Sequence, residues 1–168
     1  MSKAKRLLLL SGIFATLASP ASAHPVPFSY VDLKVGRDAI DGTVVAHIFD
    51  VAHDLNVEPA DRLLDASFLA ERASAVIAML APRLTVAADG RALTGAWSGV
   101  EPVLDRQSIR LHVRYALTAP AGTVTVAAVM FPYDPIHQTF LNVYEGDALT
   151  QAILDRGRSQ FEYFAGTR

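Results

Sequence analysis

Over the segment from Ser108 to Leu117 apolar and polar residues alternate. Ile109, Leu111, Val113 and Tyr115 fall on one side, and Arg110, His112 and Arg114 on the other. A period of two is the signature of a strand buried on one face only, and one-sided burial belongs to antiparallel sheets. Turn signals cut much of the remaining chain into similar lengths. Asp89-Gly90 separates Leu84–Ala88 from Ala92–Ala96, and Glu145-Gly146-Asp147 separates Phe140–Tyr144 from Ala148–Leu154. Asp41-Gly42 reads as a further turn before a β-rich run from Thr43 to Asp50, with one helical turn expected over Val51–Asn56. Phe28–Val35, Thr123–Phe131 and Gln160–Phe164 complete about eight strands. The expected fold is mostly β, an antiparallel β-sandwich of immunoglobulin-like type.

One segment breaks the pattern. Leu64 and Phe68 are four apart, and Leu69, Ala73, Val76 and Leu80 recur at helical spacing after Pro59. The two stripes are out of phase, which predicts two short helices, or one bent near Ser67, as an insertion around residues 59–81. Pro82 ends it.

The N-terminus carries an address. Lys3, Lys5 and Arg6 precede an apolar run from Leu7 to about Ala18, and Ala21-Ser22-Ala23 supplies small residues for a peptidase. This is the pattern of a secretory signal peptide over residues 1–23, and it predicts a periplasmic protein. The run is shorter than the roughly 20 residues that span a bilayer, and no later segment qualifies as a transmembrane helix. Cleavage leaves one domain, residues 24–168, long enough to bury a full core. It also leaves 12 basic against 17 acidic residues, a balance that excludes nucleic acid as a partner. Without cysteine, neither disulfides nor thiol chemistry are available.

No G-x-S-x-G elbow, H-E-x-x-H, phosphate-binding loop or calcium loop is present, so the chain reads as non-enzymatic. Histidines are the remaining chemical lead. Cleavage places His24 at the mature terminus, where its α-amine and imidazole chelate one cation, with copper or nickel the favoured ions. His47 and His53 bracket Asp50 and are the further candidate metal ligands. A second candidate is the stretch Phe131–Phe140, where two prolines stiffen a loop bearing Tyr133, Asp134 and His137. It reads either as a rigid corner between strands or as a binding loop.

That stretch also carries a family likeness. Phe131-Pro132-Tyr133-Asp134-Pro135-Ile136-His137-Gln138-Thr139-Phe140, continuing through Asp155 and joined by Phe164–Arg168, resembles the extracytoplasmic N-terminal module of HupE/UreJ-like membrane proteins. His24-Pro25 and Ser29–Leu33 share the likeness. The resemblance implies a soluble module working with transmembrane helices that take up a metal such as nickel. Those helices would belong to a membrane partner or to a membrane domain not included in the sequence.

Overall fold

In the computed structural model, residues 28–166 are described. The proposed signal peptide and His24 lie outside them. Ten strands occur among the described residues: β1 (Phe28–Val35), β2 (Ala39–His47), β3 (Leu84–Ala88), β4 (Arg91–Ala92), β5 (Gly95–Val103), β6 (Ser108–Ala116), β7 (Thr123–Ala128), β8 (Gln138–Glu145), β9 (Ala148–Leu154) and β10 (Gln160–Phe164). They form a six-stranded sheet in the order β5-β6-β2-β1-β8-β9 and a four-stranded sheet in the order β10-β7-β3-β4. Two α-helices, α1 (Ile48–Leu55) and α2 (Ala66–Leu80), lie between β2 and β3. None is long and apolar enough to cross a membrane.

The alternation in β6 is realised as read. Ile109, Leu111, Val113 and Tyr115 are buried, while His112 and Arg114 face out. One apolar core draws on Val31, Leu33 and Leu111 of the larger sheet, Val86 and Val126 of the smaller, and Leu69, Val76 and Leu80 of α2. The mostly β character with one main helix follows the sequence reading.

Of four local expectations three change, and one, the division of the helical insertion, is met. First, Asp41-Gly42 is not a turn but lies inside β2, opposite Lys34 and Leu33 of β1. Glycine is there for closeness: an added Cβ would sit 2.9 Å from both Leu33 Cδ2 and Val113 Cγ1. The turn itself is at residues 36–38. Second, β2 stops at His47, and Ile48–Asp50 begin α1. The His47 ring accepts from the Phe49 N–H at 3.3 Å and caps the helix, and the Ile48 N–H donates to Gln107 O at 2.9 Å. Third, the helical insertion divides at Asp65 into a 3-10 turn (Ala60–Leu64) and α2. Fourth, pairing is antiparallel everywhere except between β1 and β8, which run parallel from Phe28↔Gln138 to Lys34↔Tyr144. More than a hundred residues separate these two strands, far beyond the reach of any local spacing.

Candidate functional site

The parallel β1–β8 ladder decides where the 131–137 loop lands. Ser29 pairs with Thr139, so His137, two residues earlier, arrives beside the start of β1. Ser29 and Thr139 point inward, are buried, and share a 3.0 Å hydrogen bond. The loop makes two successive turns: Asp134 N–H donates to Phe131 O, and His137 N–H donates to Asp134 O. The Asp134 carboxylate accepts from the Ile136 N–H at 3.0 Å, an Asx turn that fixes the second bend. Arg156 donates to Pro132 O at 2.6 Å and holds the loop from the β9 side.

Beneath the loop lies a polar cluster centred on Asp50 of α1, only 4% exposed. Tyr133 Oη donates to Asp50 Oδ1 at 2.5 Å, and His137 Nδ1 stands 3.9 Å from Asp50 Oδ2. His137 Nε2 is 3.2 Å from Ser29 Oγ. Burial is the main force pushing the Tyr133 phenol well above its ordinary pKa, and the bond to Asp50 adds to it. Burial also holds His137 below the usual histidine range, against the opposing pull of Asp50 and Asp134. The imidazole packs edge-on against Phe131 at 4.9 Å, and its Nδ1 is buried without a hydrogen-bond partner.

A second layer closes over the first. The His53 ring stacks on Tyr133 with centroids 3.8 Å apart, and its Nδ1–H donates to Asp54 at 2.9 Å. Asp54 also receives Arg83 at 2.5 Å, and the same guanidinium donates to Met130 O at 2.7 Å. Arg83 therefore binds α1 to the chain leaving β7.

Of the residues picked from sequence, Tyr133, Asp134 and His137 share this loop, and His53 joins them through the stack. His47 caps α1 instead. Among the described residues no three histidine, aspartate or glutamate side chains are arranged to hold a metal ion, so His47, Asp50 and His53 do not form the expected ligand set. The reason is geometric: the start of α1 sends Asp50 inward, while His53 lies on the exposed side. Ser29, Thr139, Asp54 and Arg83 escaped the sequence reading. Ser29 and Thr139 had a signal, since each is a polar residue at the inward parity of a strand whose other inward residues are aliphatic.

Hydroxyl, imidazole and carboxylate stand here in the order of an activated nucleophile. Ser29 has no exposed surface, however, and the cavity beside His137 measures about 10 Å³, room for about one water. Within the cluster, the Tyr133 phenol and the buried Asp50 carboxylate tie the loop to α1. A wider depression, about 470 Å³, lies elsewhere, on the open face of the six-stranded sheet around Asp32, Thr43, Ser98, His112, Arg114 and Tyr144. Ionic groups on that face are largely paired with each other, as in Arg114–Asp41 and Arg110–Glu101.

No protein-family model matches the chain, and no curated protein is significantly similar to it.

Proposed function

We propose that the protein is a non-enzymatic periplasmic domain, exported by residues 1–23, that assists a membrane protein of the metal-uptake type and docks on it through the 131–137 loop. The reading takes the domain to be the counterpart of the soluble module of HupE/UreJ-like proteins. It takes the two sheets as an immunoglobulin-like sandwich, with the parallel β1–β8 ladder as a departure from that plan. One observation carries it: the loop is braced from within by Asp50 yet presents apolar surface outward. Ile136 is 68% exposed and Tyr133 43%, and Phe49 on neighbouring α1 is 53% exposed. Exposed apolar side chains on a rigid loop lose little entropy on binding, which favours a docking role. A copper- or nickel-binding role headed by His24 has less behind it, because His47 and His53 are each engaged locally.

A photoreactive side chain at position 136 tests the proposal in cells. The expected result is an adduct with a polytopic membrane protein, absent when the probe replaces Leu149 at the far end of the β8–β9 hairpin. Ile136→Asp should then abolish co-purification with that partner. Equal labelling from both positions, or recovery of the product with cytosolic markers, would overturn it.

A further inference from the structure

Tyr133 and His137 sit four residues apart on one loop and face the two oxygens of one buried carboxylate, Asp50, on another element. We propose that this is an acid-released latch: proton uptake by His137 frees the 131–137 loop from α1 and so makes docking depend on the pH around the domain. The link to docking rests on the function proposed above. The latch itself belongs to the isolated chain.

The groups around His137 determine the direction of the response. From β1 and β8 come the neutral hydroxyls of Ser29 and Thr139, and from α1 comes Asp50. The loop supplies Asp134 and the phenol of Tyr133, and Phe131 walls the ring. Asp54 is taken by Arg83, whose guanidinium lies over the Phe131 ring, and His53 faces Tyr133. Asp155 and Arg156 line the small cavity beyond. In the neutral ring Nε2 meets the Ser29 hydroxyl, and Nδ1 makes no bond. Adding a proton places a full charge on a side chain only 4% exposed, at 3.9 Å from Asp50, too far for a hydrogen bond.

Two outcomes compete: the charged ring closes on Asp50, or it leaves for water. Burial outweighs the attraction of Asp50 and Asp134, so the closed loop binds the proton less tightly than the open one. A ligand drives an equilibrium toward the state that binds it better, so acid favours opening. Because Tyr133 rides on the same loop, its bond to Asp50 and its stack on His53 are released together.

Amide hydrogen exchange of the purified chain, corrected for intrinsic rates, reads the latch at about pH 7.5 and about pH 5.5, on either side of an ordinary histidine pKa. Exchange across 131–137 should rise on acidification, by up to about tenfold between these two pH values for an open-loop histidine of ordinary pKa, while β6 is unchanged. His137→Gln should abolish the pH response. Tyr133→Phe should raise exchange at both pH values and keep the response, which guards against a His137 variant that simply misfolds. Persistence of the response in His137→Gln would overturn the latch, as would an NMR titration placing wild-type His137 at or above the free histidine value. Crosslinking from position 136 is read separately, so the latch and the docking surface can fail independently.

Discussion

Tyr115 ends the inward stripe of β6, and its hydroxyl is buried with no hydrogen-bond partner. Burial pushes its phenol up to about 12, above the ordinary value of 10.0. A folded-state pKa raised above the unfolded one leaves stability intact below pH 10 and erodes it as pH climbs toward 12. Tyr115→Phe removes the orphan hydroxyl. It should leave stability at neutral pH unchanged or raise it by about 1 kcal/mol, and it should blunt the alkaline loss. Urea midpoints of both forms at neutral and alkaline pH check this, and a clearly less stable variant would contradict it. The alternation around Tyr115 was legible in the sequence, because facing depends only on parity. The unsatisfied hydroxyl was not, because it depends on which atoms other strands bring near. Ser29 and Thr139 fall between these cases: their parity marks them as inward, but only the β1–β8 pairing shows that they satisfy each other.

Asp65 shows how an element boundary is set. It is extended, with φ −76° and ψ 120°, and its carboxylate accepts from the Phe68 N–H at 2.8 Å. This N-cap stops the 3-10 turn and starts α2, so Leu64 and Phe68 fall in different elements and their spacing of four is not a helical stripe. Asp65→Ala should cost about 1 kcal/mol in chemical denaturation, and Asp65→Asn should restore most of it. A neutral Ala variant would mean that tertiary packing alone sets the helix start. The sequence reading came within two residues by placing the break near Ser67. It fared worse at α1, where Ile48, Phe49 and Val51 favour a strand by intrinsic propensity. Burial of Ile48, Val51 and Ala52 at helical spacing, with the His47 cap, overrides that preference.

Arg83 joins two parts of the molecule at the base of the loop, bonding Asp54 on α1 and Met130 O after β7. Arg83→Ala leaves a largely buried carboxylate without its cation and a carbonyl without its donor. The expected cost is about 2–3 kcal/mol in denaturation, together with faster exchange over 131–137. A loss under about 0.5 kcal/mol would show the bridge to be marginal, as exposed ion pairs are. By itself the sequence determined most of the strands, the inward face of β6, the Asp89-Gly90 and Gly146-Asp147 hairpins and the single main helical excursion. All of these are written in spacings of a few residues. The tertiary structure alone decided that β1 lies parallel to β8, that His137 thereby meets Ser29, and that Asp50 receives Tyr133. Such choices balance the entropy of closing loops of about a hundred residues against burial shared by the whole core, and no local period records that balance.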